Sequence, residues 1–305
     1  MRIIVMGQQA FGKAALEKIL EAGKDEVVAV YTAPDKEGRP EDPLKTAALE
    51  HGLPLYQPGN FEDEAVLQEM RALGADLMVM AYVIIFVPEA ARDIPKMGSI
   101  CFHPSLLPLH RGPSSINWPI IGGATKTGLF WFYPTDGLDE GDVLLQKEVE
   151  IGPDETLGDV YFKKIFPLGV DSTLEVIEAF RNGNPPHMVQ DESKATYESW
   201  CRKKDAEIDW AKPVADVDNL IRGTNPQPGA WTTVDGAEVK IFDARKADGD
   251  GTPGEVIEAS ADGVLVQASG GRILVQRVRP AGEGKIPAAE WAAAADIATG
   301  TKLGT

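Results

Sequence analysis

Cysteine is almost missing from this chain: Cys101 and Cys201 are its only two in 305 residues. So sparse a set does not read as a disulfide framework, the device by which small secreted domains staple a fold too small for its own core. Long apolar runs are missing too. No stretch approaches the roughly 20 consecutive apolar residues that a membrane-crossing helix needs. Met1-Arg-Ile-Ile-Val-Met-Gly7 enters a strand with no charged leader or cleavage site. The expectation is a cytoplasmic protein with no membrane partner. Bases are scarce relative to acids, with 30 Lys and Arg against 47 Asp and Glu, for a formal net charge of -17. That balance disfavours a phosphate backbone, whose binding rests on Lys and Arg neutralising phosphates. It equally disfavours an anionic membrane surface. A local basic patch on an acidic protein stays open.

What the chain does have is length and a regular alternation. At 305 residues it exceeds the usual size of one domain, so two are expected. Residues 3–6 form an apolar run closed by Gly7, as a strand buried on both faces requires. A helix follows with Ala15, Leu16, Ile19 and Leu20 on one side. Further strands are predicted at 27–31, 53–56 and 75–81, and helices at 44–51 and 61–73. Pro54 marks the third strand as an edge. The segment 154–179 has helical spacing, with Pro167 expected to kink or interrupt it. Such alternation predicts an α/β fold: a Rossmann-like, mostly parallel sheet with helices on both faces and right-handed crossovers, over residues 1–186. Gly7 to Gly12 departs from G-x-G-x-x-G because Gln9 holds the second glycine position, where backbone would approach a pyrophosphate. A tight helix-on-strand connection is expected there, not a dinucleotide site.

Residues 187–206 are polar and read as a linker between domains. Beyond them come a short helix at 213–221, a turn at 226–229 and short strands at 230–234, 238–242, 254–259, 263–267 and 272–279. Gly and Asp turns separate these strands, which predicts a small C-terminal β-barrel domain, OB-like, over residues 207–305.

The densest chemistry lies between Ser99 and Asp142. The run S-I-C-F-H-P suggests a strand ending at His103, and open α/β sheets bind ligands at the carboxyl ends of their strands. Asp136-Gly-Leu-Asp-Glu-Gly-Asp142 supplies acids in a glycine-punctuated turn between two apolar strands. A His and an Asp brought to one sheet edge make a plausible acid/base pair. Each residue also has an ordinary explanation, as a hydrogen-bonded strand-end histidine and as a turn-forming aspartate. The apolar loop after the fourth strand, with Ile85, Phe86 and Val87, could fill core or enclose a flat heteroaromatic ring.

At two motifs the chain resembles the folate-dependent formyltransferase family. They are His103-Pro-Ser-Leu-Leu-Pro-Leu-His-Arg-Gly-Pro-Ser-Ser-Ile-Asn-Trp118 and Asp136-Gly-Leu-Asp-Glu-Gly-Asp-Val-Leu-Leu-Gln-Lys147. The likeness also takes in Tyr31-Thr-Ala-Pro-Asp-Lys36, Ile221-Arg-Gly223 and Pro228-Gly-Ala-Trp231, so it touches both expected domains. Within the family it is most similar to the amino-terminal hydrolase domain of 10-formyltetrahydrofolate dehydrogenase, and it is similar to methionyl-tRNA formyltransferase as well. The resemblance implies 10-formyltetrahydrofolate as formyl donor, no metal, and His103 and Asp139 as the catalytic pair. It further implies a folate site built from Ile85, Phe86, Val87, Ser105, Leu106, Leu107, Pro108, Asp136 and Gly137. Transferases of this family carry Asn two residues before the histidine, as an oxyanion donor; here stands Cys101, whose thiol donates only weakly. That departure favours water as acceptor, with formate and tetrahydrofolate as products. Formyl transfer to an amine, on methionyl-tRNA or a small amino compound, is the alternative. A tRNA partner is disfavoured by the acids interspersed through 207–305, and no NADP-dependent oxidation is expected. Gln8, Gln9 and Arg111 line an acceptor cleft by motif position, or serve only loop and surface packing.

Overall fold

Apolar strands that alternate with amphipathic helices have few ways to bury both faces, and this chain takes the doubly wound one. The structure is a computed structural model that describes residues 1–304. Strands β1 (Arg2–Gly7), β2 (Glu26–Tyr31), β3 (Leu55–Tyr56), β4 (Leu77–Ala81) and β5 (Ser99–His103) are joined by parallel ladders. Helices α1 (Gln9–Ala22), α2 (Pro43–Glu50), α3 (Glu64–Ala72) and the short α4 (Glu89–Arg92) connect them. The sheet runs β3-β2-β1-β4-β5-β6-β7, with β6 (Lys126–Phe132) antiparallel to β5 and β7 (Val143–Glu150) last. Ile4 and Met6 of β1 join Met78 and Met80 of β4 and Leu67 and Met70 of α3 in one apolar cluster. Ile3 and Val5, pointing the other way, are equally buried, so both faces are covered.

By packing the chain divides into two units that interleave along it. The first is Met1–Arg111, Gly128–Glu148 and Lys164–Tyr197; the second is Gly112–Thr127, Val149–Lys163 and the chain from Glu198 onward. The segment 154–179 is helical but broken, as Pro167 requires. Helix α5 (Asn117–Ile121) precedes it in the chain, then α6 (Leu157–Val160), a π-helical turn (Tyr161–Ile165) and α7 (Phe166–Arg181). Pro167 is the second residue of α7, directly after the π-helical turn, where the helix changes its hydrogen-bonding pattern. The second unit holds α8 (Val214–Gly223), an antiparallel sheet of order β10-β11-β12-β9-β8, and α9 (Ala288–Ala294). Its strands are β8 (Ala230–Val234), β9 (Ala237–Ala247), β10 (Val256–Ser260), β11 (Gly263–Ala268) and β12 (Gly271–Pro280), with β13 (Ile286–Pro287) pairing β12. Trp210, Val217, Ile221, Val239, Ile273 and Trp291 are among the side chains of its own core. Among the described residues no helix is long and apolar enough to cross a membrane.

The glycine loop after β1 is explained by packing. A Cβ on Gly7 would lie 2.0 Å from the Ala81 carbonyl oxygen, so only glycine lets β1 and β4 end side by side. Just beyond it, Asp42 ties two helix starts together. Its carboxylate accepts from Leu44 N at 2.9 Å, capping α2, and from Gln9 N at 3.0 and 2.9 Å, at the start of α1. Replacing Asp42 with Ala leaves both amides without this acceptor and is expected to cost about 1–2 kcal/mol. Urea unfolding of the variant should show the loss as a lower midpoint at unchanged slope.

Candidate active site

Strand β5 reads Cys101-Phe102-His103, and alternation sends Phe102 to one face and Cys101 and His103 to the other. Phe102 stacks on Phe11 at 4.1 Å and meets Trp131 edge-on at 5.5 Å. Gly169 of α7 leaves room for that aromatic group, since a Cβ there would lie 2.8 Å from both the Phe102 and the Phe11 ring. The core on one face of β5 thereby fixes where the imidazole emerges on the other. His103 is the last residue of the strand, and its Nε2 lies 3.2 Å from the carbonyl oxygen of His110. A carbonyl can only accept, so Nε2 carries the proton in that hydrogen bond. Nδ1 then faces the Asp139 carboxylate, at 3.7 Å from Oδ2. Both side chains are mostly buried, at 12% and 15% exposure, so this pair works under reduced screening.

Asp139 arrives from the loop 133–142 between β6 and β7, with φ +56°, a left-handed conformation that aspartate tolerates better than most residues. The structure thus joins the two residues that the sequence singled out, 36 positions apart in the chain. Cys101 lies beside them. It packs against the cluster of β1, β4 and α3 and also against Leu107, Phe130, Phe132 and Val143. Burial, reinforced by the Asp139 charge, pushes its thiol well above the ordinary cysteine range. At neutral pH it is a thiol, not a nucleophilic thiolate. Cys201 is pushed up to about 11, chiefly by burial. Iodoacetamide at pH 8 is therefore expected to label neither cysteine in the folded protein on the timescale of free cysteine, as intact-mass measurements would show.

The residues expected to hold a folate lie on three segments of the chain. Val87 is buried, Ile85 half-buried and Phe86 exposed. Ser105 and Leu107 are buried, Leu106 and Pro108 half-buried, and the Leu107–Pro108 peptide is cis. Ser105 Oγ is fully enclosed with no hydrogen-bond partner. Asp136 is exposed and Gly137 half-buried. Arg92, which the sequence did not single out, links two of these segments. Its Nη1 donates to the Val87 carbonyl and its Nη2 to Asp136 Oδ1, both at 2.7 Å. Ser99 Oγ in turn donates to the Arg92 carbonyl at 2.6 Å. A recess at the carboxyl ends of β1, β2 and β4 is lined by Gly7, Gln8, Thr32, Phe61, Val83 and Ile85, among others.

Of the three cleft candidates, Gln8 is buried beside this recess, whereas Gln9 is exposed on α1. Arg111 settles on packing: it is 0% exposed, paired with Glu192 Oε1 at 2.6 Å and hydrogen-bonded to Gln190 and Tyr197. Gln190 also escaped the sequence reading. Among the described residues no group of three or more His, Cys, Asp or Glu is arranged to hold a metal ion.

A seven-stranded, mostly parallel sheet followed by a separate antiparallel-sheet unit is the fold that formyl transferases take. Residues 1–166 match the formyl transferase family and 201–296 its C-terminal domain, and the chain belongs to that family. It is 38% identical over 309 residues to the methionyl-tRNA formyltransferase of Geotalea daltonii, covering 100% of this chain and 98% of that protein. It is 35% identical to the cytosolic 10-formyltetrahydrofolate dehydrogenase of Xenopus laevis over 98% of this chain, and spans about a third (35%) of that longer relative. Among solved structures, HypX from Aquifex aeolicus in complex with tetrahydrofolic acid shares the fold. Its TM-score is 0.68 at 19% identity, over 96% of this chain and 47% of that one.

Proposed function

We propose that the chain transfers the formyl group of 10-formyltetrahydrofolate to an amine, with His103 and Asp139 as the reacting pair. The observation that carries this is the imidazole Nδ1 facing the Asp139 carboxylate at 3.7 Å in a mostly buried corner at a strand end. In the reaction the amine nitrogen attacks the formyl carbon, forming a C–N bond and an oxyanion. The carbon's bond to N10 of the folate then breaks, N10 takes up a proton, and the amine gives one up. Asp139 accepts that amine proton, while the imidazole in its protonated form stabilises the oxyanion. The main chain around Ile85 to Val87 and the Ser105–Pro108 wall hold the pterin, and Asp136 and Gly137 border it.

Methionyl-tRNA is the favoured amine. Relatives named for that activity match this chain over nearly their whole length. Within the second unit several bases lie together, with Glu238 and Asp243 paired to Lys203 and Arg277 among them. Lys240 pairs in register with Arg279, and Lys285 and Arg279 lie over the Phe242 ring at 3.7 and 5.7 Å. Lys203 lies over Trp231 at 5.0 Å. Burial and then the neighbouring Arg279 lower Lys240, with Glu238 acting the other way. Such a patch suits phosphates despite the acidic total.

Hydrolysis is the second reading, and Cys101 favours it, because a weak donor stands where a carboxamide would steady the oxyanion. Purified protein incubated with 10-formyltetrahydrofolate separates the two. Tetrahydrofolate released only when methionyl-tRNA is present supports transfer. Formate released at the same rate without any amine overturns it in favour of hydrolysis. No turnover with water, methionyl-tRNA or a panel of small amines overturns both.

A further inference from the structure

We propose that Gln190 is a positioning residue for the His103–Asp139 pair, holding the Asp139 turn in register with the chain that carries the His103 hydrogen-bond partner. The inference rests on the formyl-transfer reading of that pair. Gln190 is 6% exposed and uses its carboxamide on both sides. Its Nε2 donates to the carbonyls of Asp139 and Gly141, at 2.9 and 2.7 Å. Its Oε1 accepts from Arg111 Nη2 at 2.7 Å. Arg111 directly follows His110, the residue whose carbonyl accepts from His103 Nε2. One amide group therefore fastens the backbone of Asp139 on one side and, on the other, the residue next to the histidine's anchor.

The segment that bears Gln190 is itself tied down at both ends. Val143 and Met188 exchange backbone hydrogen bonds of 2.8 and 3.0 Å, and His187 stacks on Tyr133 at 4.0 Å. Downstream, Thr196 N donates to the Pro108 carbonyl and Arg111 N to the Thr196 carbonyl. Tyr197 Oη donates to Glu140, the residue after Asp139. Of these contacts only the Gln190 fork reaches Asp139 itself. A left-handed turn residue keeps its orientation only while its surroundings hold it, so loss of the fork should let the carboxylate drift from the imidazole.

The test uses full-length Gln190→Met, similar in length but unable to make these bonds, and Gln190→Asn, whose carboxamide is too short to reach both sides. Gln190→Met is expected to lower kcat about 10- to 100-fold while KM for 10-formyltetrahydrofolate stays within about threefold. In an Asp139→Asn background, followed by single turnover, the same substitution should lower the rate by less than about twofold. Gln190→Asn should fall between wild type and Gln190→Met. Hydrogen exchange should quicken in peptides covering 136–142 and not in β1 or β4. Wild-type kcat in Gln190→Met, an equal loss in both backgrounds, or exchange raised evenly across the protein would overturn the proposal. If Gln190→Met does not fold, the same readouts on Gln190→Asn decide. A wild-type protein that never turns over 10-formyltetrahydrofolate would sink the formyl-transfer reading instead, leaving the exchange data to decide whether Gln190 holds the turn.

Discussion

Turnover of 10-formyltetrahydrofolate by Asp139→Asn is expected to fall about 10²- to 10⁴-fold, and by His103→Ala at least as far, with the fold intact. The amide keeps the shape of the side chain at 139 but can neither take a proton nor present a full negative charge 3.7 Å from Nδ1. Loss of the ring at 103 removes an ionisable group that faces that carboxylate at 3.7 Å and whose type titrates near neutrality. Folding should survive both changes. His103 contributes one hydrogen bond at a strand end, to His110 O, while β5 is anchored by Phe102 on the opposite face. The double variant should be little worse than the worse single one, because two groups that act as a unit are not additive. Steady-state rates on the three proteins, with near-ultraviolet circular dichroism as the fold control, make the comparison. Rates within threefold of wild type in either single variant would dissolve the pair.

Gly141→Ala is expected to lose about 10²-fold in activity without touching a reacting group, since displacing a reacting group by about 1 Å can cost that much. A Cβ at 141 would lie 1.6 Å from the Tyr133 carbonyl oxygen and 2.7 Å from its carbon, both backbone atoms that cannot swing aside. Tyr133 is held in place. Its N donates to Asp142 O at 3.0 Å, its ring stacks on His187 and its Oη donates to Pro186 O. The turn must therefore move, two residues from Asp139, and it takes with it the Gly141 carbonyl that Gln190 holds. Such overpacking typically destabilises by about 1–3 kcal/mol, so a modest fall in melting temperature should accompany the kinetic loss. Wild-type activity in this variant would mean that the turn is not rigid enough to set the position of Asp139.

Much of this was legible in the order of the residues. An apolar run closed by Gly7 predicts β1, and alternation with helices predicts the parallel sheet. Pro104 after Phe102-His103 ends β5 where the structure ends it. Strand and helix periods are written locally, in side chains two or four residues apart, so they survive reading one residue at a time. The His103 and Asp139 motifs are similarly compact, each a short run of distinctive residues. The details at element ends were less secure: the third strand shrinks to Leu55–Tyr56, and β9 extends to Ala247.

What fastens the site was not legible. Arg92 reads as an ordinary charge near a short helix, yet it bonds Val87 and Asp136, 44 residues ahead. The segment 187–206 reads as a linker because it is polar, but residues 187–197 pack with the first unit, where Gln190 and Glu192 meet Arg111. A cysteine two residues before the histidine argues for hydrolysis in the sequence, while similarity over nearly the full length of methionyl-tRNA formyltransferases supports the proposed amine acceptor. Sequence order determined the elements and singled out the His103 and Asp139 motifs that the fold brings to 3.7 Å, since hydrophobic period and motif are short-range. Tertiary structure alone decided which polar side chains hold that pair, because a hydrogen bond from a side chain to a distant carbonyl leaves no periodic mark on the chain.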